Sequence, residues 1–271
     1  MTERTEQTHV GGTGAPLVLL HGATSSWRAW RSVLPSLEAR HRVVAPTLAG
    51  HHGGAALAVA PERVVPALVD GVEEAMDRLG CPTAHVVGNS LGGWVALELA
   101  RRGRARSVVG LSPAGAWRTP RDLTRLLLTF RAAGLLGSLP GLRRILEVAP
   151  LRRVLLRLVS EHPERLPAAE VGDLVDDLLG CSVLPALLGG AREHGAIAPF
   201  RPSCPVLLAW GEHDRMLPYE RYGLPMLESL AGAEVVRLPG VGHVPMPDDP
   251  ALVASTVLRF VERAEAGERS A

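Results

Sequence analysis

The chain has 271 residues, of which 46% are hydrophobic, and its formal net charge is +1. This length and apolar content predict one large domain with a sizeable core, and a charge so close to neutral gives no electrostatic reason to expect a nucleic-acid or membrane-surface partner. All 29 basic residues are arginines, which excludes Schiff-base chemistry on a lysine.

Six short segments have strand patterns, and those at 17–20, 85–88 and 206–210 are predicted to be buried. The six segments cover residues 17–20, 42–45, 85–88, 107–111, 206–210 and 234–238. A further strand around residues 8–10 is expected at an antiparallel edge of the sheet.

Helical patterns separate the predicted strands. Apolar residues recur with a period of 3.6 at 27–37 and at 65–76. Asp249 and Pro250 open a last helix, which we expect to give way to a frayed tail from Glu265 onward. Strands that alternate with helices indicate the α/β class, with a mostly parallel, doubly wound sheet covered on both faces.

A long insertion separates the strands at 107–111 and 206–210. It has roughly 85 residues, too many for a plain loop, and it lacks strand patterns. We therefore predict a helical cap at 117–198, inserted into a core formed by 1–116 and 199–271. Its many leucines would roof the site, and its Arg-rich first half and acidic second half are expected to attract one another.

The sequence around Ser90 places a serine on a sharp turn between a strand and a helix. It reads Gly88-Asn89-Ser90-Leu91-Gly92, a G-x-S-x-G motif between a buried strand pattern and a helix pattern. Such a turn brings strand and helix into contact and leaves no room for a Cβ at Gly88 or Gly92. This context is typical of a nucleophile elbow and makes Ser90 the candidate nucleophile.

A serine hydroxyl is nearly inert at neutral pH, so Ser90 requires a base and an orienting acid. His243 lies in a glycine-rich loop after the last predicted strand and is the candidate base. Asp214 follows the strand at 206–210 and is the candidate acid, with Glu212 as the competing choice. Two backbone N–H groups, those of Ala23 and Leu91, are candidates for the oxyanion hole.

No pattern in the chain suggests a metal or a bound cofactor, and we expect neither. Cys81, Cys181 and Cys204 are scattered without C-x-x-C spacing, which predicts buried thiols and no disulfide or zinc framework. No apolar run is long enough for a signal peptide or a membrane span, so we expect a cytoplasmic protein.

These motifs together resemble those of the α/β-hydrolase superfamily, from residue 17 to about residue 264. The chain order Ser90, Asp214, His243 is that of this superfamily, and the His-Gly loop, the W-G-x-x-D strand end and the G-x-G-H loop also match. Dehalogenases and epoxide hydrolases of the superfamily carry an aspartate at the elbow. Ser90 therefore implies a serine hydrolase that forms an acyl-enzyme.

The functional hypothesis is an esterase or lipase-like enzyme acting on a small to medium apolar carboxylic ester. C–C bond hydrolases of aromatic degradation, which share a G-N-S-x-G elbow and a helical cap, are the second choice. Perhydrolases, thioesterases, acyltransferases and slow-turnover ligand-binding proteins of the same fold are further alternatives. The physiological substrate and the oligomeric state are not readable from one sequence.

Overall fold

A seven-stranded sheet lies at the centre of the computed structural model, which describes residues 8–193 and 195–270. The strands follow the order β1-β3-β2-β4-β5-β6-β7, and β1 is antiparallel to β3 while all other neighbours are parallel. The strands are β1 (Thr8–Gly11), β2 (Pro16–Leu20), β3 (Arg42–Pro46), β4 (Ala84–Asn89), β5 (Ala105–Leu111), β6 (Val206–Gly211) and β7 (Glu234–Leu238). The predicted α/β class and the antiparallel edge strand are confirmed.

Helices cover both faces of this sheet. Those of the described residues are α1 (Leu34–Glu38), α2 (Val64–Arg78), α3 (Leu91–Arg101), α4 (Pro120–Gly137), α5 (Leu142–Glu147), α6 (Ala149–Leu155), α7 (Ala168–Leu179), α8 (Leu184–Glu193), α9 (Leu224–Ser229) and α10 (Pro250–Ser270). Alternate residues of β2 pack into different apolar clusters: Val18 and Leu20 into one, Leu17 and Leu19 into the other. This alternation explains why β2, β4 and β6 read as continuous apolar runs, because both of their faces are buried, whereas β7 at the edge of the sheet is mostly exposed.

Five α-helices, α4 to α8, lie between β5 and β6, where the cap is predicted. Their own apolar cluster is small, with only Leu146, Val171 and Val175 fully buried in it among the described residues. The buried guanidinium of Arg152 donates hydrogen bonds to the backbone carbonyls of residues 146, 147, 163, 164 and 166. One side chain thus joins α5, α6 and the turn that follows.

The two oppositely charged halves of the insertion meet in two ion pairs, Arg143 with Asp176 and Arg157 with Glu161. Asp173 and Asp177, by contrast, bind arginines of the sheet domain. The expected attraction between the halves is therefore confirmed only in part.

No single described helix is long and apolar enough to cross a membrane. The pair α7 and α8, bent by 58°, passes that test together on length and composition alone.

The last helix begins as predicted and ends differently. Asp249 caps it by accepting a hydrogen bond at 2.9 Å from the Leu252 N–H. The expected frayed tail is wrong, because α10 continues to Ser270. Two contacts with the sheet accompany the extra turns: Glu265 lies 3.4 Å from His85, and Glu268 pairs with Arg106.

Candidate active site

Ser90 lies on the sharp turn between β4 and α3. Its φ of 53° and ψ of −115° are outside the usual regions for an L-residue, and such strained conformations concentrate at functional sites. Its N–H donates to the Leu111 carbonyl at 3.0 Å. A Cβ at Gly88 would collide with the Gly92 carbonyl, and one at Gly92 with the Leu20 carbonyl, so both glycines are required by the close approach of strand and helix.

Asp214 and His243 form a buried pair. Asp214 Oδ2 lies 2.8 Å from His243 Nδ1, and the other carboxylate oxygen accepts hydrogen bonds from the N–H groups of Met216 and Leu217 at 3.0 and 2.7 Å. Glu212, the competing acid, is exposed and contacts the Gly240 N–H instead. The structure therefore brings Asp214, and not Glu212, to the imidazole.

Ser90 and His243 line the same cavity without a hydrogen bond between them. His243 Nε2 is buried and has no hydrogen-bond partner among the described residues. Catalytic hydrogen bonds are often long in the absence of substrate and shorten only when it is bound.

The loop that follows β2 lies against Ser90. A Cβ built on Gly22 would lie 3.3 Å from the Cβ of Ser90, and Ala23 lines the cavity. Thr24 has a left-handed φ of 58°, and its hydroxyl donates to the Ala23 carbonyl at 2.6 Å. On the other side of Ser90, Leu91 is the first residue of α3, where backbone N–H groups lack helical partners.

His21 is held by backbone groups of its own loop and of the segment after β3. Nδ1 lies 2.8 Å from the Gly22 carbonyl, and Nε2 accepts a hydrogen bond from the Leu48 N–H at 2.9 Å. Complete burial and the nearby His51 lower the pKa of His21 well below its usual value. His21 is therefore neutral and positions the loop.

Comparison with known proteins places this chain in one family. The profile of the Alpha/beta hydrolase family matches residues 17–256. Over 207 residues, 72% of this chain and 94% of the relative, the sequence is 38% identical to epoxide hydrolase EphH of Mycobacterium tuberculosis.

The chain belongs to the α/β hydrolase family. It is 27% identical to a 2-hydroxy-6-oxo-6-phenylhexa-2,4-dienoate hydrolase of Burkholderia cepacia over 254 residues, which cover 86% of this chain and 82% of the relative. Its fold is similar to that of the 2-hydroxy-6-oxo-6-phenylhexa-2,4-dienoate hydrolase BphD from Rhodococcus sp. strain RHA1, with a TM-score of 0.75, 24% identity and 94% of each chain covered. The protein is thus an enzyme of the hydrolase class.

Two buried polar side chains of this hydrolase hold the His243 loop and were not identified from the sequence. Asn89 Nδ2 donates to the His243 carbonyl at 2.9 Å and to the Leu111 carbonyl at 3.0 Å. Asp248 accepts from the Gly242 N–H at 2.8 Å. For Asn89, its position next to Ser90 was the one sequence feature that could have indicated this role. For Asp248, no neighbouring residue indicated it.

Asp248 also binds the segment that follows α6. It accepts from the N–H groups of Glu161 and His162 at 2.9 and 2.8 Å and from the Ser160 hydroxyl. The Val244 N–H adds a bond to the Val159 carbonyl at 2.8 Å. A single buried carboxylate therefore joins the His243 loop of the hydrolase to the inserted helices.

A second polar link joins the inserted helices to the loop at Ala23. The Ser26 hydroxyl donates to Asp177 of α7 at 2.8 Å, and Arg28 pairs with both Asp177 and Asp173. Burial raises the pKa of Asp177, although the hydrogen bonds from Ser26 and Arg28 oppose the shift. Both loops that flank Ser90 are therefore tied to the insertion.

The cavity at Ser90 has a volume of about 990 Å³. Leucines from α4, α5 and α6 form much of its wall, and Asn89, Ser90 and His243 contribute polar atoms at its base. Within the described part of the chain, no three His, Cys, Asp or Glu side chains converge as metal ligands.

Proposed function

We propose that this hydrolase cleaves carboxylic esters with an apolar acyl chain through an acyl-enzyme on Ser90. The observation that carries the proposal is the buried pair of Asp214 and His243 at 2.8 Å, whose unpartnered Nε2 shares a cavity with Ser90. An imidazole fixed on one side by a carboxylate and free on the other is the arrangement that activates a serine hydroxyl.

In the acylation step, Ser90 Oγ attacks the ester carbonyl carbon while His243 Nε2 takes its proton. The carbonyl oxygen becomes an oxyanion, and we assign its stabilisation to the N–H groups of Ala23 and Leu91. When the tetrahedral intermediate collapses, the bond to the alcohol breaks, and imidazolium protonates the leaving oxygen. The fixed Asp214 keeps Nδ1 protonated throughout.

Deacylation repeats these steps with water. His243 Nε2 removes a proton from water, whose oxygen attacks the acyl carbonyl, and the proton then passes to Ser90 Oγ as the acid leaves. The balance is one ester and one water consumed for one acid and one alcohol formed, so the cycle needs no oxidant, metal or cofactor.

The cavity supports an apolar acyl chain. Its leucine-rich wall and its volume of about 990 Å³ leave room for a chain of several methylenes. Each buried methylene contributes about 0.8 kcal/mol, or about a fourfold gain in the specificity constant where the contact is kept in the transition state.

Epoxide hydrolysis, the activity named for the Mycobacterium tuberculosis relative, does not fit a serine nucleophile. A carboxylate that opens an epoxide becomes an ester, which water can hydrolyse at its carbonyl. Ser90 in the same role would form an ether, which has no carbonyl for water to attack. The enzyme would be alkylated once and would not turn over.

C–C bond hydrolysis is the second candidate, because the Burkholderia cepacia relative aligns over 86% of the chain and the G-N-S-x-G elbow is shared. C–C hydrolases of the family commonly have tryptophan directly after the histidine. Val244 occupies that position here and bonds through its N–H to Val159. Because this tryptophan is absent, we favour ester hydrolysis over C–C bond hydrolysis.

The test is steady-state turnover of p-nitrophenyl esters from acetyl to long acyl chains, with Ser90→Ala as the matched control. We expect kcat/KM to rise to a medium chain length and then fall, and Ser90→Ala to lose essentially all turnover while remaining folded. Retained turnover in Ser90→Ala contradicts the nucleophile assignment. A preference for anionic aromatic dienoates favours the C–C reaction, and a single acylation per chain favours a ligand-binding protein.

A further inference from the structure

The outer surface of the inserted helices is unusually apolar. Among the described residues, ten of the fifteen large apolar side chains that are exposed lie between residues 128 and 158. Leu135 and Val154 are each 73% exposed. We call the exposed apolar and arginine side chains of residues 121–158 the cap face.

The periodicity of α4 places apolar and basic residues on one stripe. Arg121, Arg125, Leu128, Arg131 and Leu135 recur at intervals of three or four residues, so they lie on the same side of the helix. All five are exposed, whereas the opposite side of α4 is buried. An amphipathic helix normally turns its leucines inward, and α4 presents leucines on both sides.

The cap face surrounds the entrance to the active-site cavity. Leu128 and Leu136 from α4 are exposed and line the cavity, and Leu155 and Leu158 from the α6 region do the same from another part of the insertion. The opening is therefore bordered by apolar side chains that also reach solvent.

Most arginines of the cap face make no ion pair with described residues, although Arg143 pairs with Asp176 and Arg157 with Glu161. Five of them make no ion pair with any described carboxylate, namely Arg121, Arg125, Arg131, Arg144 and Arg153. Glu147 is the one exposed acid between residues 121 and 157. Asp173, Asp176 and Asp177 of α7 are already engaged with Arg28, Arg31 and Arg143.

We propose that the cap face docks on an anionic lipid surface. Exposed leucines and valines insert among acyl chains, and unpaired arginines contact the lipid phosphates. Amphipathic helices that lie in a membrane interface bind in this way. A second copy of this chain is a less suitable partner. A two-fold interface brings the same patch of both copies together, so the positive charges of the arginines would repel one another.

Docking in this orientation turns the cavity opening toward the bilayer. If the proposed ester reaction takes place in this cavity, an apolar ester dissolved in the lipid reaches Ser90 without crossing bulk water. The docking itself is independent of that reaction, because it needs only the cap face.

The experiment is cosedimentation of the full chain with vesicles of phosphatidylcholine alone or with about one third phosphatidylglycerol. One basic residue near an anionic surface contributes about a fivefold gain in binding, so we expect at least tenfold tighter binding to the anionic vesicles, weakened by added salt. Leu135→Glu with Val154→Glu should lower binding at least tenfold, and Arg144→Ala with Arg153→Ala should remove most of the preference for anionic lipid.

The matched controls are Val235→Glu and Arg259→Ala, exposed positions outside the cap face that should bind as the unmodified protein does. Turnover of p-nitrophenyl acetate in solution should be unchanged in all variants, since none of these residues lines the cavity, and it verifies folding. Binding by the Ser90→Ala protein separates docking from hydrolysis. Absent vesicle binding, equal loss in the controls, or a dimer in ultracentrifugation that Leu135→Glu dissociates would each overturn the proposal.

Discussion

Leucines on the central strands are completely buried, whereas leucines on the inserted helices reach 73% exposure. In the sheet domain, strands β2 and β4 pack apolar side chains on both faces against helices. In the insertion, a small apolar cluster and a buried arginine hold five helices together. Apolar side chains thus serve packing in the sheet domain, whereas many of those on the insertion are exposed to solvent. Exposed apolar surface of this extent marks an interaction site.

The largest predicted effect lies in the sheet domain. Asp214→Asn should lower kcat by about three to four orders of magnitude, because the amide no longer holds the reactive tautomer of His243. Glu212→Gln is the matched control, since Glu212 is exposed and contacts only the Gly240 N–H. Ester turnover under saturating substrate measures both, and a larger loss in Glu212→Gln would make Glu212 the acid.

A matched pair of leucines tests the difference between the two regions directly. Leu19→Ala removes a fully buried side chain from β2 and should lower the free energy of unfolding by about 2–5 kcal/mol. Leu135→Ala on α4 should change it by less than about 0.5 kcal/mol. Chemical denaturation followed by circular dichroism measures both changes. A large loss from Leu135→Ala would mean that the leucine packs within the molecule.

The carboxylate that joins the two regions should have an intermediate effect. Asp248→Asn replaces one acceptor oxygen with an NH₂ group that faces backbone N–H donors. This clash should displace the His243 loop, so we expect kcat to fall by roughly tenfold or more with little change in KM. Asp249→Asn is the control, because asparagine caps a helix as well as aspartate does. Unchanged kcat in Asp248→Asn would restrict Asp248 to a role in stability.

The smallest effect is expected at Arg143–Asp176, one of the two ion pairs between the halves of the insertion. Arg143 and Asp176 are about half and one third exposed, and solvent-exposed pairs contribute little. Arg143→Ala should change the melting temperature by no more than about 1–2 °C, consistent with less than about 0.5 kcal/mol. Thermal unfolding measures it. A larger shift would show that the charged halves hold the helices together.

Local patterns predicted the features that depend on local sequence. The strand patterns located all six predicted strands, and the candidates Ser90, Asp214 and His243 were chosen from the segments after them, because loops at the ends of parallel strands meet at one edge of the sheet. Asp248 could not be predicted, since its partners include backbone N–H groups 86 and 87 residues earlier in the chain.

The error at the end of the last helix has the same physical origin. Residues 265–270 read as a polar tail, yet they are helical and two of their acids contact His85 and Arg106, which are distant in sequence. The net charge of +1 is a sum over the whole chain and does not describe the local excess of arginine on the cap face, on which the proposed docking rests.

The buried guanidinium of Arg152 has a consequence for how this protein can diverge. Its five hydrogen bonds all go to backbone carbonyls, and every residue type supplies a carbonyl. Replacement of neighbouring side chains therefore leaves those acceptors in place, while lysine at 152 could not reproduce the planar fork of donors. Leucines that line the cavity can therefore be exchanged, and substrate preference can change, while the hydrogen bonds of Arg152 still hold α5 and α6 in place.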